Sequence, residues 1–210
     1  PANNTSTQDV SPQVSSTCST NILVNPSFEN PVQTTLKTNN IYPSPYYGWA
    51  TLNNSNINII KVDGTAFAPG PDNAHGSGNQ YLDIAGANDF PIQTFTITAT
   101  SSFSFSAYFS NRVAQVQPGR YTPWTAKVDI LDASNNVVAS SSTKNFDLYT
   151  DPEAWFFVSG NAPFLPPGTY KWRVYVGDYG HMDDAYLCIT PGIDAVNDDF
   201  SATTIVGSGS

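Results

Sequence analysis

Charge is what this sequence has least of. Charged side chains make up 12% of the 210 residues, about half the usual share. Only eight are basic, scattered singly, and the formal net charge is -9. No basic stripe exists, so nucleic acid and anionic membrane are excluded as electrostatic partners. Glutamate occurs only as Glu29 and Glu153. Long helices draw on Glu, Lys, Leu and Ala, and no window keeps a helical period over three turns. No apolar run reaches membrane-spanning length, which argues against membrane insertion. The two histidines, His75 and His181, have no Gly-x-Ser-x-Gly or cysteine partner. Metalloprotease, phosphate-loop and dinucleotide phrases are missing too.

What is present is Asn, Ser and Thr, with 13% aromatics. That balance is common in secreted and surface β proteins, so an extracellular, secreted or cell-surface location is expected. The chain starts at Pro1, which reads as a processed or excised fragment; if it is secreted, its targeting segment is expected to have been removed. The only cysteines, Cys18 and Cys188, each stand at the edge of a short apolar run near one end. A spacing of 170 positions is no metal pattern. A disulfide fits the extracellular composition, and two separate buried thiols are the alternative. If the terminal runs are neighbouring strands, Glu29 comes near Asp183 and Asp184. Such carboxylates repel one another unless a cation lies between them, and calcium suits oxygen ligands.

Turn signals recur every eight to twelve residues, as in a sandwich or barrel. Strands are expected over 21–25, 57–62, 79–85, 92–98, 103–109, 126–131, 136–147, 154–159, 169–176 and 183–189. Phe103-Ser104-Phe105-Ser106-Ala107-Tyr108-Phe109 alternates large and small. Trp172, Val174 and Val176 fall on one face of their strand, with Lys171, Arg173 and Tyr175 on the other. Asp132-Ala133-Ser134-Asn135-Asn136 reads as a hairpin turn. The fold class is therefore all-β, a two-sheet antiparallel β-sandwich of jelly-roll type. Residues 1–17 read as a flexible lead-in, 18–190 as the module, and 191–210 as a linker towards a following domain.

Four phrases carry a family resemblance in order. They are Asn21-Ile22-Leu23-Val24-Asn25-Pro26-Ser27-Phe28-Glu29, Tyr47-Gly48-Trp49, Gly78-Asn79-Gln80-Tyr81-Leu82-Asp83-Ile84-Ala85-Gly86, and Pro167-Gly168-Thr169-Tyr170 followed by Met182-Asp183-Asp184-Ala185-Tyr186-Leu187. Over about 20–190 the chain resembles the galactose-binding-like jelly rolls, which include many carbohydrate-binding modules of secreted polysaccharide-degrading enzymes. The resemblance implies a structural calcium held by the Asn25 carbonyl, Glu29 and Asp183 or Asp184. Pro26 departs from the glycine often found there. Trp49 is expected in the core, as in those modules.

Sugar-binding β modules set aromatic rings against pyranose faces and hydrogen-bond the hydroxyls with polar side chains. Loop aromatics are the first candidates: Tyr42, Tyr46 and Tyr47, stiffened by neighbouring prolines, then Arg120, Tyr121 and Trp124 around a Pro-Gly turn. Trp124 has a core position as its alternative. Arg112 ends the Phe103 strand, and Tyr179 sits in a tight loop with His181, where capping the sandwich is the favoured role. The leading reading is a non-catalytic module that binds a polysaccharide or glycan beside neighbouring domains of the same chain. A calcium-rigidified adhesin or spacer domain is the alternative; Ala195-Val196-Asn197-Asp198-Asp199-Phe200 resembles the opening of a bacterial surface repeat. A jelly-roll glycosidase or lyase ranks last, because nothing singles out two carboxylates across a cleft.

Overall fold

A computed structural model describes residues 18–30, 32, 37–41, 48–52, 57–62, 74–76, 78–84, 90–111, 124–147, 154–177 and 180–192. Twelve strands are found among them: β1 (Lys37–Ile41), β2 (Ala50–Thr51), β3 (Ile57–Lys61), β4 (Gln80–Ile84), β5 (Pro91–Ile97), β6 (Ser101–Asn111), β7 (Trp124–Leu131), β8 (Val137–Ser140), β9 (Lys144–Phe146), β10 (Trp155–Leu165), β11 (Gly168–Val176) and β12 (Gly180–Pro191). One six-stranded sheet runs β1-β3-β4-β12-β6-β10. The other runs β2-β5-β11-β7-β8, with β9 beside β7. All pairings are antiparallel. The expected all-β, two-sheet antiparallel sandwich is the observed fold. Among the described residues no helix is long and apolar enough to cross a membrane.

The sheets face each other through the alternating residues. Phe103, Phe105, Ala107 and Phe109 of β6 meet Trp124, Ala126, Val128 and Ile130 of β7 and Tyr170, Trp172, Val174 and Val176 of β11 in one core. The other face of β11 carries Arg173, which pairs with the fully buried Asp129 carboxylate. Burial pushes the Asp129 carboxyl up, but bonds from Ser140, Arg173 and Lys127 more than offset it and hold the group below the usual range. The Asp132 turn forms as expected. Asp132 Oδ1 accepts from Ser134 N–H at 2.9 Å and Asn136 N–H at 2.8 Å, while Asn135 takes a left-handed φ of 68°.

Several expectations change: β1 and β2 were not expected, and β12 extends beyond 183–189 at both ends. Residues 136–147 are two strands, β8 and β9, rather than one. Strand β10 continues past 159 to Leu165. The segment 21–25 is irregular rather than a strand. It nevertheless lies beside β12, where Ile22 N–H donates to the Leu187 carbonyl at 2.9 Å and Ala185 N–H to the Pro26 carbonyl at 2.9 Å. The Asn21 amide replaces further ladder bonds, donating to the Ala185 carbonyl and accepting from Leu187 N–H. The Gln93 amide ties the same segment to the opposite sheet through both Val24 backbone groups. Phe28 and Trp49 then plug this end of the core, with rings 5.2 Å apart.

Cys18 and Cys188 form the disulfide, with Cα atoms 5.9 Å apart. Chain-entropy reasoning for so long a loop gives an upper value of about 5 kcal/mol. The pair Cys18→Ser and Cys188→Ser is expected to lower unfolding free energy by about 2–5 kcal/mol, measured from denaturant midpoints. Trp172→Ala, which empties the centre of the core, is expected to cost about 3–5 kcal/mol by the same measurement.

Candidate functional site

The face of the six-stranded sheet turned away from the core carries the candidate site. Register decides which side chains share it, because residues directly opposite in an antiparallel pair lie on one face. Tyr108 of β6 stands opposite Phe157 of β10 and Asp183 of β12. Ser110 stands opposite Trp155 and His181, and His181 opposite Asp83 of β4. Asp83 in turn stands opposite Asn58 of β3.

Five rings form a continuous band across this face. Tyr81 meets Trp155 edge-on at 5.6 Å between centroids, and Trp155 meets His75 at 6.2 Å. His75 stacks on Tyr108 at 3.5 Å, and Tyr108 leans on Phe157 at 5.0 Å. Ile60, Val62 and Ala74 pack beneath the Tyr81 and Trp155 end as a second small apolar cluster. At the other end Phe157 is 55% exposed. The band thus runs from a fully buried ring, Tyr81, to one open to solvent.

Polar groups border the band on two sides. On one side lies a buried row, Asn58, Asp83, His181 and Ser110. Asn58 Nδ2 donates to Asp83 Oδ2 at 3.5 Å, and His181 Nε2 lies 3.5 Å from Asp83 Oδ1. Among the described residues neither ring nitrogen of His181 has a hydrogen-bond partner. A buried imidazole left so costs free energy unless something polar reaches it. On the other side, Ser102, Ser104 and Ser106 continue the Tyr108 face of β6, opposite Asn161 and Ser159 of β10. Ser104 Oγ donates to Asn161 Oδ1 at 2.8 Å. These short side chains leave a low strip lined with hydroxyls and an amide.

The carboxylate cluster adjoins the band. A register shift in β12 between Asp183 and Tyr186 leaves Asp184 as the extra residue, at φ 44°. Asp183 is buried; its Oδ1 accepts from Asp184 N–H at 2.8 Å and its Oδ2 from His75 N–H at 2.9 Å. Asp184 Oδ2 accepts from His75 Nδ1 at 2.6 Å. Glu29 Oε1 accepts the N–H groups of Asn79 and Gln80, each at 2.7 Å. A Cβ at Gly78 would strike Glu29 Oε1, so a side chain there would displace that carboxylate from the Asn79 and Gln80 N–H groups. Burial, with added repulsion from Asp184 and Glu29, pushes the Asp183 carboxyl up to about 8, against the opposing bonds from Asp184 N–H and His75 N–H.

Asn25 does not fit the ligand role expected of it. Its carbonyl accepts from Trp49 Nε1–H at 3.1 Å and Phe28 N–H at 3.2 Å, and its side-chain amide is closed on the Asn30 backbone. Its own φ of 49° is part of that turn. Glu29, Asp183 and Asp184 have the oxygen chemistry of a calcium site. Among the described residues, however, no three His, Cys, Asp or Glu side chains converge as a metal-holding group.

The candidate ligand residues fare differently. Trp124 is a core residue, 2% exposed. Its ring stacks on Phe146 at 4.1 Å and its Nε1–H donates to Asn111 Oδ1, so no face is left for a ligand. The following strand alternates inward from Trp124, and that buries it. Tyr42, Tyr46, Tyr47, Arg112, Arg120, Tyr121 and Tyr179 lie outside the described residues. His181 lines the buried polar row rather than capping the sandwich. The band itself was missed. Its one signal is Trp155-Phe156-Phe157: consecutive strand residues alternate faces, so three aromatics in a row put at least one outside.

No family model and no curated protein matches the chain. Solved structures do resemble it. An arabinose-bound α-L-arabinofuranosidase of family GH51 aligns over 80% of this chain and 26% of its own length, at 11% identity and a TM-score of 0.52. The chain thus spans about a quarter of that enzyme, and the likeness concerns the fold alone. A CBM61 module in complex with β-1,4-galactotriose aligns over 80% and 98%, at 16% identity and a TM-score of 0.47. The CBM22-1 xylan-binding domain of Paenibacillus barcinonensis Xyn10C aligns over 75% and 94%, at 10% identity and a TM-score of 0.44.

Asp183 predicts a pH dependence. Its folded value near 8 lies above the ordinary 3.8, so the folded chain holds the proton more tightly than the unfolded one. The resulting stabilisation is full below about pH 4 and is lost as pH rises towards about 8. Urea midpoints of chelator-treated protein are expected to fall across that range, and Asp183→Asn to flatten the fall.

Proposed function

We propose that this domain is a non-catalytic glycan-binding module whose ligand lies on the outer face of the six-stranded sheet. The single observation that carries the reading is the aromatic band, ending in the 55% exposed Phe157, set beside a strip of short hydroxyl side chains. Sugar rings have apolar faces and a polar rim, and the surface offers both in that arrangement. The disulfide supports an extracellular setting. The described acidic residues beside the band bond to backbone N–H groups and to His75. These bonds tie both chain ends to the segments around His75 and Asn79.

Calcium belongs to the same proposal. The buried Asp183 carries repulsion from both Glu29 and Asp184, and a divalent cation would relieve it with oxygen ligands. Its role would be to bind the two chain ends, with no part in chemistry. Calcium is expected to raise the melting temperature by several degrees over chelated protein, and Asp184→Ala to remove that difference. Identical melting curves with calcium and with chelator would discard the ion.

The glycan reading is tested on a diverse glycan array, followed by titration calorimetry on the best ligand. Phe157→Ala is expected to weaken binding at least tenfold, with the melting temperature nearly unchanged because the ring is largely exposed. An array with no hits would instead favour a spacer or adhesin domain without a ligand of its own.

A further inference from the structure

The band and the carboxylate cluster meet at one side chain. His75 lies in neither sheet; it belongs to the segment 74–76 between β3 and β4. Two bonds fasten it to the cluster, its N–H to Asp183 Oδ2 and its Nδ1 to Asp184 Oδ2. With a carboxylate oxygen as acceptor in the second bond, the ring proton is assigned to Nδ1. The same ring lies nearly parallel to Tyr108, at 19°. Gly76 takes a φ of 67°, and a Cβ there would lie 3.0 Å from Asp184 Oδ2, so the backbone comes close to that carboxylate. Tyr108 then touches Phe157, the exposed end of the band.

We infer that His75 is a positioning residue that couples the carboxylate cluster to the ligand-facing rings, so that the state of the cluster sets the placement of Tyr108 and Phe157. Its consequence for affinity rests on the proposed glycan face; the coupling does not. The path is short and wholly physical: Asp184 holds the imidazole, the imidazole holds the Tyr108 ring, and that ring braces Phe157. A change at the cluster that releases Asp184 frees His75 to slide over Tyr108. Binding would then have to order rings that the native contacts now hold ready.

A double-mutant cycle tests it. The Tyr108 ring signals are followed by NMR, assigned with Tyr108→Phe, in wild type, Asp184→Asn, His75→Phe and the double variant. Tyr170, at the opposite end of the sandwich, serves as the control. His75→Phe keeps a ring over Tyr108 but cannot bond Asp184. Asp184→Asn is expected to move the Tyr108 signals in wild type and to do nothing further in the His75→Phe background. Affinity for soluble xylan and β-1,4-galactan, where wild type binds either, should drop about three- to tenfold in both single variants, the worth of one aromatic contact. Equal shifts in both backgrounds, or none in either, overturn the coupling. Wild type that binds neither polysaccharide, with the expected non-additive Tyr108 shifts, counts against these ligands and leaves the coupling standing.

Discussion

A strand inside a sheet must find partners for its backbone on both edges, and β12 loses one of them halfway. Its pairing with β4 covers only Gly180 to Met182. Beyond that point the chain bulges at Asp183 and Asp184, and the N-terminal segment takes over as neighbour. Much else follows from this exchange. The bulge lets Met182 and Ala185 both face the core although they are three positions apart. It turns two acidic residues towards Glu29 and His75. It also brings Cys188 alongside Cys18, so the disulfide and the carboxylate cluster secure the same junction from two sides.

The sandwich spends its two kinds of face differently. The inner faces are filled by large apolar rings and β-branched side chains, and Trp49, Trp124 and Trp172 are all consumed there. The outer face of the β2-β5-β11-β7-β8 sheet, to which β9 also belongs, carries Arg173, Lys127 and Asp129, with the Arg173 guanidinium also lying over Phe90 and Tyr175. Asp129 pairs with both cations, and Arg173 Nε has no hydrogen-bond partner among the described residues. The outer face of the β1-β3-β4-β12-β6-β10 sheet differs in setting the exposed Phe157 at the end of an aromatic band, beside a buried imidazole whose ring nitrogens have no hydrogen-bond partner among the described residues. An arrangement that stability alone does not ask for is where a binding surface is to be sought.

Several features were legible in residue order. The alternation over 103–109 and 170–176 assigns core and surface faces correctly, because a strand reverses its side chains at every step. The turn at Asp132 is readable from side chains that bond their own backbone. The approach of the two ends was readable from the placement of Cys18 and Cys188. Of the loop aromatics, only Trp124 lies among the described residues, and it takes the core position that was its alternative, whereas Phe157 and Tyr108 sit in strands and face outwards. Nothing in the sequence neighbours of His75 announces Asp184 or Tyr108, more than a hundred and more than thirty positions away respectively.

The amino-acid order by itself determined the class of fold, the partition of each strand into two faces, and the closing of the ends. These depend on periodicity and on single pairs of residues, and both are local or nearly unique signals. Only the tertiary structure decided which outer face gathers the rings, that the N-terminal run joins β12 without becoming a strand, and that His75 bridges an acidic cluster and an aromatic band. Those outcomes depend on strand order and on register across the sheet. Many pairings compete for each strand, and the choice among them is made by packing of the whole core rather than by any one stretch of chain.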